Sequence, residues 1–142
     1  MVFIIQEYKY EELLERAWSK LPDELKVTSR FEVPEPKVYV QGKQTFILNF
    51  KEIANAFQRD PKHILLYLSK ELAAPAMLDD KRAIIQRELR KSVIREKIME
   101  YAKEYVFCHE CGRPDTKIDE LEGEKIIKCT ACGGWWPMKK IR

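Results

Sequence analysis

Four cysteines, arranged as two Cys-x-x-Cys pairs, constrain the fold of this chain more than any other feature. They are Cys108, Cys111, Cys129 and Cys132. Seventeen residues separate the two pairs, and the chain has no other cysteine. Each Cys-x-x-Cys turn presents two thiolates to one metal ion, so two turns complete the tetrahedral shell of Zn²⁺. The spacing therefore predicts a four-cysteine zinc site, with Gly112 and Gly133 allowing the backbone to curl around the metal.

Two disulfides or a redox-active pair are the alternatives to this metal site. We expect neither, because the sequence shows no signal peptide and no βαβ context for a thioredoxin-like site. A catalytic zinc keeps one open position, whereas four cysteines close the shell. We therefore expect one structural Zn²⁺, with His109 exposed beside it.

The residues between the cysteine pairs indicate the rest of this module. Thr116–Lys128 reads as two short strands joined around Glu122-Gly123, since a glycine-containing turn between apolar residues favours a hairpin. A core this small gains much of its folding energy from a bound metal. We predict that residues 107–142, here called the C-terminal segment, form one zinc ribbon.

The composition indicates a globular protein. A chain of 142 residues holds one ordinary domain or two small ones, and 45% hydrophobic with 35% charged residues is typical of a globular protein. No apolar run approaches the length of about 18 residues needed to cross a membrane. We expect a cytoplasmic protein that makes no membrane contact.

The net charge of +3 conceals a gradient along the chain. Residues 1–36 carry five basic and eight acidic side chains, whereas residues 37–106 carry fourteen and nine. A local excess of positive charge favours a polyanionic partner, RNA or DNA.

The N-terminal region predicts an amphipathic helix over residues 1–21, followed by a linker over residues 22–36 that contains three prolines. Its apolar stripe recurs at three- and four-residue steps. The stripe comprises Tyr10, Leu13, Leu14, Ala17, Trp18 and Leu21. A helix of this length is marginal alone in water, so the stripe packs either on the chain's own domain or in a groove of another protein.

Residues 37–106, here called the central segment, begin with a hairpin around Gln41-Gly42-Lys43. Asn49 and Glu52 have the spacing of a capping box, and Leu48 with Ile53 that of a hydrophobic staple. These signals predict a helix that ends near Arg59.

Asp60-Pro61 predicts the start of a second helix, with Ile64, Leu65, Leu68 and Leu72 facing inward and His63 on the surface. Two strands around Asp79-Asp80-Lys81 and a helix over residues 92–106 follow. The fold class predicted for the central segment is α+β, with helices packed on an antiparallel sheet. Two helices followed by a hairpin are also typical of a winged helix.

Basic and aromatic side chains are the candidates for nucleic-acid contact. Lysine and arginine neutralise phosphates, and tryptophan stacks on unpaired bases. The candidates are Arg87, Arg90, Lys91, Arg95, Trp135, Trp136, Lys139 and Lys140. A solvated helix face and a tryptophan covering the ribbon core are the alternatives. Adjacent residues of a strand point to opposite faces, so we expect one of the two tryptophans buried and the other exposed.

The sequence contains no Gly-rich phosphate loop and no nucleophile elbow, and we expect a binding protein rather than an enzyme.

The order of motifs resembles one family. Tyr10-Glu-Glu-Leu-Leu-Glu-Arg-Ala17 precedes Leu21-Pro22, and Arg59-Asp60-Pro61 follows the Gln41-Gly42 hairpin. Cys108-His-Glu-Cys-Gly-Arg-Pro-Asp-Thr116 and Cys129-x-x-Cys132-Gly complete the pattern. Over nearly its whole length the chain resembles the beta subunits of archaeal translation initiation factor 2. It departs from that family's pattern in the charged stretch Arg87–Lys91 and in Trp135-Trp136.

The resemblance implies a non-catalytic subunit of a heterotrimer with alpha and a GTP-binding gamma subunit. That complex carries methionylated initiator tRNA to the small ribosomal subunit. The N-terminal helix of such a subunit anchors it on gamma, which implies that Tyr10, Leu13, Leu14, Ala17 and Trp18 bind that partner. The alternative is a free-standing, winged-helix-like zinc-ribbon factor that binds nucleic acid.

Overall fold

The computed structural model describes residues 9–23 and 31–142. The chain divides into two units, Met1–Arg30 and Phe31–Arg142. The division falls inside the predicted linker, of which residues 24–30 lie outside the described part of the chain. Residues 1–8 of the predicted N-terminal helix also lie outside it. The predicted boundaries after residues 21, 36 and 106 stay predictions.

In the first unit, helix α1 spans Tyr10–Lys20. Glu11 and Glu12 lie in its first turn and Lys20 in its last, where their charges complement the helix dipole. The helix ends at Leu21, whose backbone is extended because Pro22 disfavours helical geometry in the residue before it.

The second unit contains a four-stranded antiparallel sheet with strand order β1-β2-β4-β3. The strands are β1 (Val38–Gln41), β2 (Gln44–Ile47), β3 (Ala76–Asp79) and β4 (Arg82–Ile85). Thr45 and Ile47 of β2 and Ala83 and Ile85 of β4 are buried, whereas their neighbours along each strand are not. Because side chains alternate across a strand, the sheet has one core face and one open face.

Three helices complete the core of this unit. They are α2 (Phe50–Phe57), α3 (Pro61–Glu71) and α4 (Lys91–Tyr105). Their buried side chains, including Phe50, Ile64 and Ile98, join the core face of the sheet in one hydrophobic cluster. Asp60 begins α3 as predicted, since its carboxylate accepts a hydrogen bond from Lys62 N at 2.9 Å. The predicted arrangement of helices on an antiparallel sheet is confirmed.

The predicted capping box before α2 is wrong. The side chain of Asn49 makes no cap bond; its Oδ1 accepts a hydrogen bond from Lys37 N at 2.8 Å and its Nδ2 donates to Glu35 O at 2.9 Å. The staple is wrong as well, because Leu48 is exposed while Ile53 is buried. Backbone groups just before β1 bind the Asn49 side chain. It therefore holds residues 35–37 in place instead of capping α2.

The C-terminal segment forms a second antiparallel sheet, in the order β5-β6-β7. Its strands are β5 (Thr116–Leu121), β6 (Glu124–Cys129) and β7 (Trp135–Pro137). The predicted turn at Glu122-Gly123 is confirmed, and both residues have positive φ, as a two-residue hairpin turn of type I′ requires. Strand β7 contains the two adjacent tryptophans that were expected to point to opposite faces of a strand. No helix in residues 9–23 and 31–142 is long and apolar enough to span a membrane.

Candidate functional site

Two similar backbone turns present the four cysteines. Gly112 N donates to Cys108 O at 3.0 Å, and Gly133 N donates to Cys129 O at 3.1 Å. Both glycines have positive φ, of 71° and 75°. Each turn therefore places its second cysteine beside its first, and the antiparallel pairing of β5 with β6 brings the two turns together.

The four sulfur atoms all lie within 4.8 Å of one another. Cys108 Sγ is 3.5 Å from Cys132 Sγ, and Cys111 Sγ is 3.6 Å from Cys129 Sγ. A disulfide requires about 2.05 Å. Thiolates around Zn²⁺ at about 2.3 Å lie about 3.8 Å apart, which is close to the observed separations. The cluster is compatible with the predicted zinc site.

The environment of the cluster favours thiolates at some positions more than others. Burial raises the pKa of Cys108, but the backbone N–H groups of Cys111 and Glu110 more than offset this, so its pKa falls to about 7. The N–H of Gly134 lowers the pKa of Cys132, but the adjacent Cys108 and burial raise it to about 12. Four such close sulfurs do not all ionise without a compensating cation, so the cluster is electrostatically suited to a metal ion.

Trp136 packs on His109, which lies between the first two cysteines of the cluster. Its ring stacks on the ring of His109 with centroids 4.3 Å apart, and it packs against the hydrophobic cluster of the second unit. Trp135 points the other way and is 57% exposed. The expected division between the two tryptophans is observed, with Trp136 as the half-buried one. His109 is exposed, as predicted.

A buried arginine that the sequence did not single out as structural joins the C-terminal segment to the central one. Arg59 is only 6% exposed and Thr116 is completely buried. Arg59 Nη1 donates to Thr116 O at 2.9 Å, and Nη2 donates to Thr116 Oγ1 and Tyr105 O, both at 2.7 Å. Its buried Nε has no hydrogen-bond partner among the described residues. In the sequence, Arg59 was noted as the approximate end of a helix and as part of the Arg59-Asp60-Pro61 motif, and neither indicates burial.

The prediction of a surface position for His63 is wrong. It is half-buried, and its Nδ1 is hydrogen-bonded to Tyr101 Oη at 2.8 Å. The imidazole also meets the edge of Tyr105 at 5.2 Å. Burial lowers the pKa of His63, and the positive charge of Arg59 lowers it further. The partners come from α4, so the position of His63 within α3 carried no signal of them.

Helix α1 keeps its apolar stripe exposed. Tyr10, Leu13, Leu14 and Trp18 are between 43% and 76% exposed, and no residue of the helix is buried. The structure thus places all five predicted partner-binding residues, with Ala17, on one exposed helix. Their role in binding stays a prediction.

Of the basic residues predicted to contact nucleic acid, Arg87 and Lys91 have side chains with partners within the chain. Arg87 Nη1 donates to Leu72 O at 2.8 Å, and Lys91 Nζ forms an ion pair with Glu35 at 3.0 Å. Arg90 and Arg95 are exposed, as are Lys139 and Lys140. Tyr105 Oη donates to Lys139 O at 3.0 Å, which holds the backbone of the C-terminal tail against α4. Trp135 lies on β7 of the C-terminal sheet, whereas Arg87, Arg90, Lys91 and Arg95 lie just before or within α4.

A family model agrees with this organisation. The model, described as a domain found in initiation factors 2B and 5, matches residues 22–134, which include the central segment and all four cysteines.

Relatives match the chain over nearly its full length. A protein of Methanopyrus kandleri named translation initiation factor 2 subunit beta is 45% identical over 96% of this chain and 99% of its own length. The proteins of that name from Methanosarcina mazei and Methanocaldococcus jannaschii are 43% and 39% identical. These alignments cover 94% and 96% of this chain, and 66% and 96% of the respective relative. The chain belongs to the family of translation initiation factor 2 beta subunits.

Proposed function

We propose that this chain is the non-catalytic beta subunit of a cytoplasmic heterotrimer, in which a gamma subunit is the GTPase and alpha the third member. The complex delivers methionylated initiator tRNA to the small ribosomal subunit. The family of the chain supports a role in translation initiation, and the exposed stripe of α1 supports attachment to a partner protein.

The stripe is the observation that carries the gamma assignment. Leu14 and Trp18 are 53% and 54% exposed on a helix with no buried residue. Exposing such apolar area in water is unfavourable, at about 25 cal/mol per Å², unless a partner covers it. A free-standing nucleic-acid-binding factor has no need of such a helix. Tyr10, Leu13, Leu14, Ala17 and Trp18 form the proposed contact with gamma.

The four cysteines are the proposed ligands of one structural Zn²⁺. Cys108 and Cys129 are buried beneath the cluster, while Cys111 and Cys132 close it from the solvent side. All four positions of a tetrahedral ion are then occupied by sulfur, which leaves none for substrate or water. The metal supplies folding energy to the C-terminal segment, not chemistry.

RNA contact is proposed for the exposed basic residues Arg90, Arg95, Lys139 and Lys140. The engaged side chains Arg87 and Lys91 contribute to folding in addition to the local positive charge. Trp135 is an exposed aromatic ring available for base stacking, whereas Trp136 is held by His109.

Co-purification with the gamma subunit of the source organism tests the proposal. Leu14→Asp places a charge in the stripe and is expected to abolish binding, and Trp18→Ala to weaken it strongly. Glu12→Ala, on the opposite side of α1, is the matched control and is expected to bind normally. Zinc content and circular dichroism of both stripe variants are compared with the parent chain to show that they fold. Normal complex formation by both variants would contradict the gamma-anchor assignment.

A further inference from the structure

The open face of the four-stranded sheet carries one apolar row across all four strands. Tyr39 pairs with Phe46, Phe46 with Ile84, and Ile84 with Met77. Tyr39 and Met77 at the edges are 54% and 56% exposed, and Phe46 and Ile84 between them are half-buried. The rings of Tyr39 and Phe46 lie 6.2 Å apart, tilted by 46°.

Polar residues border most of the row. Gln41 pairs with Gln44 on one side, and Gln44 Nε2 donates to Gln86 Oε1 at 2.8 Å. On the other side Asp79 pairs with Arg82 and forms an ion pair with it. The apolar row is about 14 Å long, since neighbouring strands lie about 4.8 Å apart, and it widens only at β2, where exposed Leu48 follows two positions after Phe46.

This shape favours a single nucleic-acid strand over a folded protein. A stable protein interface buries about 800 Å² on each partner around a broad apolar centre, which a narrow row of four side chains with Leu48 at one flank does not provide. Unpaired bases are stacked by aromatic rings on open sheets, two or three at a time. The neighbouring glutamine amides offer donors and acceptors for base edges.

The net charge of the two hairpins also favours a nucleic-acid ligand. The two hairpins, residues 37–48 and 76–87, carry five basic and two acidic residues. Their net charge of +3 equals that of the whole chain. The basic residues, all exposed, are Lys37, Lys43, Lys81, Arg82 and Arg87. Lys43 and Lys81 lie in the turns of the two hairpins and Lys37 precedes β1, so their positive charge is suited to phosphates, whereas Arg82 is paired with Asp79 and Arg87 with Leu72 O.

We propose that the open face of this sheet binds single-stranded RNA, with Tyr39 and Phe46 stacking on bases. The proposed site includes no residue of helix α1 and does not depend on the gamma assignment; it shares with the proposed function only that the ligand is RNA.

Fluorescence anisotropy of the full chain with a labelled single-stranded RNA of about ten nucleotides tests the proposal. Tyr39→Thr removes the ring from an exposed edge-strand position while keeping β propensity. It is expected to weaken RNA binding by about fivefold or more, which corresponds to the loss of the binding free energy of one stacked base. Tyr39→Phe keeps the ring and is expected to bind as the parent chain does. Leu121→Thr removes a comparably exposed apolar side chain from a strand of the other sheet and is the matched control.

Photocrosslinking gives a readout that needs no variant. RNA containing 4-thiouridine is expected to crosslink to peptides from residues 38–47 or 76–85. Unchanged affinity of Tyr39→Thr, or crosslinks confined to the C-terminal segment, overturns the proposal. A concentration-dependent dimer that Tyr39→Thr abolishes overturns it too and assigns the face to a second copy. Tyr39→Thr is expected to retain gamma binding, which separates this result from failure of the proposed function.

Discussion

Arg59 and Thr116 are 57 positions apart in the chain, yet the guanidinium of Arg59 donates to both the carbonyl and the hydroxyl oxygen of Thr116. The Thr116 hydroxyl also donates to Val106 O, at the end of α4. The first residue of β5 is thereby held against the end of the last helix. Ile127 of β6 belongs to the same hydrophobic cluster as the central helices, so polar and apolar contacts cross this junction together.

Arg59→Met is expected to lower the free energy of unfolding by about 1–3 kcal/mol, because buried carbonyls of Tyr105 and Thr116 lose their donor. Urea denaturation followed by circular dichroism measures it. Arg95→Met, which replaces an exposed arginine of α4, is the control and is expected to change stability by less than about 0.5 kcal/mol. Equal stability of the two variants would show that the Arg59 bonds contribute nothing net.

Removal of zinc is expected to unfold the C-terminal segment and lower the melting temperature of the remainder. Cys129→Ser deletes one buried sulfur of the cluster and is expected to abolish stoichiometric zinc binding. The central helices keep their own core, so a cooperative transition persists, but they lose the contacts of Ile127 and Thr116. Metal analysis and thermal melting of the variant, with Ser92→Ala as a surface control, measure both effects. Full zinc content in Cys129→Ser contradicts the ligand assignment.

The two adjacent tryptophans are expected to differ in their effect on stability. Trp136→Ala removes a ring that packs on His109 and the core, and is expected to cost about 2–4 kcal/mol. Trp135→Ala removes a largely exposed ring and is expected to cost less than about 0.5 kcal/mol. Urea midpoints of both variants provide the comparison, and each serves as the control for the other. A reversed order would mean that Trp135, not Trp136, supports the fold.

Stability is expected to fall as the pH drops below the ordinary pKa of histidine, about 6.5. Burial and the charge of Arg59 lower the pKa of His63 in the folded chain, so the unfolded chain binds the proton first. The contribution of neutral His63 is complete above about pH 6.5 and is lost as the pH falls towards the lowered value. Unfolding free energies at pH 7.5 and 6.0 are compared for the parent chain and His63→Gln. The variant is expected to show the smaller difference; an identical pH dependence would remove His63 as the cause.

Local features were predictable because they depend on residues a few positions apart. The Asp60-Pro61 helix start, the Glu122-Gly123 turn and the stripe of α1 each rest on backbone preferences or periodicity within one element. The four cysteines were equally readable, since each turn needs only its own Cys-x-x-Cys and the following glycine. What covers the α1 stripe, by contrast, is not contained in its periodicity.

Only the tertiary structure decided which surfaces meet. Asn49 had the local signature of a cap, but Lys37 and Glu35 offered its side chain other partners across the sheet edge. In the sequence, His63 and Arg59 resemble ordinary polar residues. In the fold, His63 is bonded to α4 and Arg59 to β5. The apolar row from Tyr39 to Met77 likewise exists only through strand register, which joins four separate stretches of chain. Local patterns specify elements, whereas burial of a polar group or alignment of a row depends on long-range packing that no short window of sequence contains.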